Sequence, residues 1–115
     1  MGKTGALGAF EELVLLALLR LGETAYSVSV RREIEDRTGS EISMGAVYAT
    51  LDRLEEKGYA SSRLGDGSRS GSGRPRRFYA VEEEGREALA RSREVRGRMW
   101  DGVEPFPAPE RGGGS

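Results

Sequence analysis

Between Ser43 and Gly58 the residues Met44, Val47, Tyr48, Leu51 and Leu54 follow one another at intervals of three, one, three and three, which stacks them along one side of an α-helix. Ser43 is a good N-cap, because its hydroxyl can take a backbone N–H of the first turn, and Gly58 stands where a left-handed residue stops a helix. The opposite side carries Gly45, Ala46, Ala49, Thr50, Arg53 and Lys57, and its first two turns are small and nearly uncharged. Such a tip suits entry into the major groove of DNA, with hydroxyls and amides for phosphates and base edges and an arginine further along. An ordinary amphipathic helix with an alanine-rich outer face would carry the same pattern.

Upstream, Phe10 to Leu21 (FEELVLLALLRL) is apolar almost all round from Leu13 to Leu19, so it is expected to be buried on more than one side, at the centre of the domain or against a partner chain, and to end at Gly22. In Ala25 to Thr38, Tyr26, Val30 and Ile34 share a stripe at helical spacing. Thr24 is the expected N-cap and Gly39 the expected stop. The stretch YSVSV also alternates like a strand, but the charged run RREIEDR favours a helix. Two helices joined by a short turn, the second with a small-residue tip, form a helix-turn-helix candidate.

Tyr59 to Leu64 and Arg76 to Val81 are short, aromatic-rich and separated by GDGSRSGSGRP, which predicts a two-stranded hairpin with a long tip. Arg77, Tyr79 and Val81 would share one face, and Arg76, Phe78 and Ala80 the other. The tip reads by composition as a plain linker, yet Arg69 and Arg74 lie in it and Arg76 and Arg77 at its root. A basic hairpin directly after a helix-turn-helix has the layout of a winged helix, its wing along the phosphate backbone or in the minor groove. The last helix is expected from Glu82 to about Asp101, its opening glutamates favouring a helix N-terminus. Its stripe is narrow (Ala88, Val95, Met99, with Leu89 and Trp100 on the shoulder), so it needs another surface. The free side of the first helix offers one, with Val95, Met99 and Trp100 near Phe10 and Val14 of a second copy; Trp100 folded back on its own domain is the alternative.

Composition narrows the chemistry. None of the 115 residues is Cys or His, which removes disulfides, the usual zinc sites, thiol nucleophiles and the commonest base near neutral pH. No nucleophile and base pair can be named, so an enzyme is not expected, nor is a cofactor. The absence of a long apolar run argues against a membrane span and for a cytoplasmic protein. The net charge of −1 argues against binding to nucleic acid by bulk charge, but positions 61 to 80 hold Arg63, Arg69, Arg74, Arg76 and Arg77 against Asp66 alone.

SMGAVYATLDRLEEKGY (Ser43 to Tyr59) and GRPRRFYAVEEEG (Gly73 to Gly85), in this order after FEELVLLALL, resemble the PadR-like transcriptional regulators, winged-helix proteins that bind operators as dimers. The resemblance runs from about Leu7 to Trp100. It implies a mostly α fold with a small β-hairpin: a winged helix-turn-helix over residues 1–81 and a C-terminal dimerisation helix over 82–103; the stretch 104–115, with Pro105, Pro107, Pro109 and a closing GGGS, reads by composition as a disordered tail. It implies further that Tyr26, Ser43, Gly45, Tyr48, Thr50 and Arg53 lie at or near DNA, with Ala46 where a serine is usual, and that Arg74, Arg76 and Arg77 serve the wing. The single last helix is similar to the short branch of the family, in which it packs on the partner's first helix. The expected function is a homodimeric repressor of an inverted-repeat operator in double-stranded DNA, released by a small aromatic or apolar effector. The competing function is a winged-helix protein-interaction module without specific DNA binding.

Overall fold

A computed structural model of the chain describes residues 7–65 and 75–103, in the order of three helices, a hairpin and a fourth helix. Helix α1 spans Ala9–Leu21. The Glu11 carboxylate takes the Gly8 N–H at 2.9 Å at its start, which secures one of the otherwise unpaired amides of the first turn. As its all-round apolar pattern predicts, α1 is central, packing against the next two helices, the second strand of the hairpin and the last helix. Val14, Leu15, Ala17 and Leu18 are buried.

Helix α2 spans Ser27–Thr38 and starts two residues later than Thr24 as N-cap would require. Ala25 and Tyr26 are instead extended and join the hairpin: Tyr79 N–H donates to the Ala25 carbonyl at 2.9 Å, and Tyr26 bridges Phe78. The strand-like alternation of YSVSV is thus used only at its first residue. Ser29 then serves the helix start, accepting the Tyr26 N–H at 2.9 Å, while the Thr24 hydroxyl donates to the Leu21 carbonyl. Gly39 ends α2 at φ 76°, a left-handed conformation that costs a glycine little.

Helix α3 spans Met44–Glu56, and the Ser43 hydroxyl accepts the Ala46 N–H at 3.1 Å, the cap that the sequence predicts. Strands β1 (Ala60–Leu64) and β2 (Arg77–Val81) pair antiparallel from Ala60 opposite Val81 to Leu64 opposite Arg77. Helix α4 spans Glu83–Trp100. The core joins Leu15 and Leu18 of α1, Val30 and Ile34 of α2, Val47, Leu51 and Leu54 of α3, Tyr59, Tyr79, Ala88 and Leu89. Each large aliphatic side chain buried there contributes about 1.5–3 kcal/mol of transfer free energy.

Two sequence assignments are corrected by burial. Val14, expected on a free side of α1, is fully buried in its own domain at 0% exposure; the bare side of α1 carries Leu13 and Leu16. Within α3, Thr50 is buried at 2% and Tyr48 is 52% exposed, the reverse of their sequence assignment. At about 100° per residue Thr50 lies only about 60° round the helix from Val47, whereas Tyr48 lies about 100° away. Angle, not apolarity, decides which of the two goes in.

Candidate nucleic-acid interface

Ser43, Gly45, Ala46, Tyr48 and Ala49 form the exposed beginning of α3. Apart from Tyr48, the absence of large or charged side chains on these two turns leaves backbone and Cβ atoms free to approach another molecule closely. Asp52 and Glu56, on the outward side of the later turns, are acidic and would repel phosphate. The helix can therefore face a polyanion by its N-terminal end, not along its whole length. Tyr48 sits at one flank, its hydroxyl 3.3 Å from Ser27 Oγ at the start of α2.

Beside that flank two adjoining aromatic rings lie between two cations. The Arg76 guanidinium is 4.2 Å from the Tyr26 ring centroid, the Tyr26 and Phe78 rings meet edge to face at 5.8 Å, and the Arg63 guanidinium lies 5.0 Å from the Phe78 ring. A guanidinium held flat on a ring keeps its N–H edges available in plane, so Arg76 is pre-oriented at the seam between α2 and the hairpin. Arg77 takes the other face of β2, as strand alternation requires. Its Nη1 donates to Ser62 Oγ at 3.0 Å, and the Ser62 hydroxyl donates to Glu55 at 2.7 Å.

Of the residues expected at DNA, the structure brings Tyr26, Ser43, Gly45, Ala46, Tyr48 and Arg76 onto one surface. Thr50 is not on it, because its side chain is buried, where its hydroxyl accepts from Arg53 Nη2 at 3.3 Å. Arg53 lies at the far flank of α3, its Nε donating to Glu11 at 3.2 Å. Arg69 and Arg74 lie outside the described residues, as does the stretch 104–115. Phe78 and Arg63, which complete the group, were placed by sequence on the Arg76 face of the strand and in the arginine cluster but not assigned to the DNA site. Glu11 was also missed. Burial pushes its pKa up, but the Gly8 N–H and the Lys57 and Arg53 cations outweigh this and hold it below the ordinary 4.5.

Val95, Met99 and Trp100 are exposed at 49%, 74% and 60%. They continue the stripe of α4 whose lower part, Gly85, Ala88 and Leu89, is buried in the domain. A groove of about 610 Å³ runs between α1 and α4, lined by Leu16, Leu19, Leu89 and Trp100 and by the charged Glu12, Arg86, Arg93 and Arg96. Among the described residues no cluster of acidic side chains is placed to hold a metal ion, and no helix is long and apolar enough to cross a membrane.

A core of three helices, the last two of them a pair with a small-residue tip, and an antiparallel hairpin hydrogen-bonded back to the start of α2 define a winged helix-turn-helix protein. The chain belongs to the transcriptional regulator PadR-like family, whose model matches residues 15–91, and is a DNA-binding regulator, not an enzyme. It is similar to a PadR family transcriptional regulator from Eggerthella lenta, at 30% identity and a TM-score of 0.64 over 79% of this chain and 77% of that one. It is also similar to RosR of H. salinarum, at 26% identity and a TM-score of 0.66 over 85% and 81%. A transcriptional regulator from Clostridium thermocellum shares the fold at 21% identity, with a TM-score of 0.68 over 85% and 92%. No curated protein matches the chain.

Proposed function

We propose that the protein is a homodimeric repressor that binds an inverted-repeat operator and is released by a small apolar or aromatic effector. The observation that carries the dimer is the unfinished stripe of α4. Its lower half is buried in its own domain, while Val95, Met99 and Trp100 are bare, and α1 offers the bare ridge Leu13 and Leu16. That ridge lies about 140–160° round α1 from Glu11, which faces α3. A two-fold contact in which the end of α4 lies on the partner's Leu13 and Leu16 therefore leaves both α3 helices free on the far side. Phe10, partly buried at the core edge, can flank the contact; Val14 cannot reach it.

In this arrangement Ser43, Gly45 and Ala46 approach base edges, Tyr26, Tyr48 and Arg76 hold phosphates, and Arg69, Arg74 and Arg77 assist from the wing. The groove between α1 and α4, where Leu16, Leu19, Leu89 and Trp100 supply apolar walls among charged neighbours, suits an apolar or aromatic effector, whose binding would alter the dimer and with it the two recognition helices. Sedimentation with and without duplex DNA, at two salt concentrations, tests the proposal. A dimer whose affinity falls steeply with salt supports it, and a monomer or a salt-insensitive complex overturns it.

A further inference from the structure

Glu11 is the one charged side chain among the described residues that is buried, and neither the DNA-facing surface nor the bare ridge of α1 uses it. Its carboxylate accepts from Lys57 Nζ at 2.9 and 3.1 Å and from Arg53 Nε at 3.2 Å, besides capping Gly8. Arg53 and Lys57 are one turn apart at the C-terminal end of α3, so a single buried group clamps the first turn of α1 to the last turn of α3. The next residue, Glu12, accepts from Arg96 Nη2 of α4 at 3.0 Å. One turn of α1 thus holds both the recognition helix and the C-terminal helix.

Placing the clamp at the end of α3 remote from Ser43 gives it leverage. At about 1.5 Å per residue the helix runs about 20 Å from Lys57 back to Ser43, so a tilt of about 10° at the clamped end displaces the tip by about 3.5 Å. That is about one base-pair step of B-DNA. Apolar contacts are non-directional and tolerate small rotations, whereas charge-assisted hydrogen bonds from two cations to one carboxylate fix an angle.

We propose that Glu11 is a positioning residue for DNA recognition, whose bonds to Arg53 and Lys57 set the tilt of α3 against α1 and hence the separation of the two recognition helices. The inference rests on the dimer proposed above, in which α1 carries the two-fold contact. Arg53 then serves the clamp and not a base edge.

The test uses the full chain, as wild type, Glu11→Gln and Lys57→Met, with Glu33→Gln as a control in which a partly exposed carboxylate that pairs with Arg20 and Arg37 is lost. The probes are a duplex selected by the wild type from a random pool, the same duplex with one base pair added or removed at its centre, and a random duplex. Sedimentation and thermal melting establish that each variant is folded and dimeric. Wild type and Glu33→Gln should prefer the selected spacing by at least about tenfold, while Glu11→Gln and Lys57→Met should bind all three spacings within about threefold and random DNA much as the wild type does. The Glu11→Gln effect should also not add to that of Lys57→Met. Unchanged spacing preference in a folded Glu11→Gln dimer, or an equal loss on every duplex, overturns the inference alone; a wild type indifferent to spacing overturns the dimeric operator and this inference together.

Discussion

Gly85, in the first turn of α4, lies where the helix passes the end of β1. A Cβ at this position would meet the Tyr59 carbonyl oxygen well inside contact distance and come within 2.9 Å of Val81 Cγ1. The oxygen is backbone and cannot turn aside; it also accepts the Glu82 N–H at 2.9 Å, the bond that seats α4 on the hairpin. Overpacking of this kind costs about 1–3 kcal/mol, with backbone clashes at the upper end, and a weakened buried hydrogen bond adds about 1 kcal/mol. Alanine's better helix propensity returns about 1 kcal/mol. Gly85→Ala should therefore destabilise by about 3 kcal/mol, which for a domain of this size lowers the melting temperature by roughly 10–20 °C. Gly97 is the internal control: it lies in the same helix, and nothing stands within 4 Å of a Cβ there, so Gly97→Ala should be neutral or stabilising by up to about 1 kcal/mol. Thermal melts of both variants at one protein concentration decide it. A Gly85→Ala protein that melts as high as Gly97→Ala would show that α4 does not pack on the hairpin as described.

Met99→Ala with Trp100→Ala should remove about 2 kcal/mol or more from each copy of the contact, hence about 4 kcal/mol from the dimer, raising its dissociation constant about 1000-fold in sedimentation; an unshifted dimer refutes the interface. Arg76→Ala should weaken selected and random duplexes alike and flatten the salt dependence by about one unit of slope for each phosphate left without its cation, whereas a loss confined to the selected duplex would make Arg76 a base reader. Because the pKa of Glu11 is depressed on folding, its contribution to stability is complete above the ordinary 4.5 and disappears as pH falls through the lower folded value. The gap in melting temperature between wild type and Glu11→Gln should accordingly be constant near neutrality and close below pH 4.5; a gap that widens on acidification contradicts the clamp.

Elements with marked ends were legible from sequence. Ser43, Gly39, Gly58 and the turn-rich segment after Leu64 act through local backbone chemistry, and α3, the end of α2 and the hairpin fall where those residues put them. What was not legible depends on partners distant in sequence. In a helix apolar on all sides, nothing local distinguishes Val14 from Leu13, because the choice is made by which neighbours pack there. Ala25 and Tyr26 are drawn out of α2 by pairing with β2, more than fifty residues away. The same holds at the proposed DNA-facing surface. The small tip of α3 is visible as residue types, but the engagement of Arg53 by Glu11 joins residues 42 positions apart, and the Arg76 to Tyr26 stack joins the hairpin to α2.

Selection of duplexes by the intact protein from a random pool tests the central claim most directly, since it requires dimer symmetry and base readout at once. Enriched sequences should share an inverted repeat with half-site centres about 34–36 Å apart or a multiple of it, bound by two protomers with an affinity that falls steeply as salt rises. Enrichment of single half-sites bound by one protomer, or no enrichment at all, would contradict a dimeric operator-binding repressor.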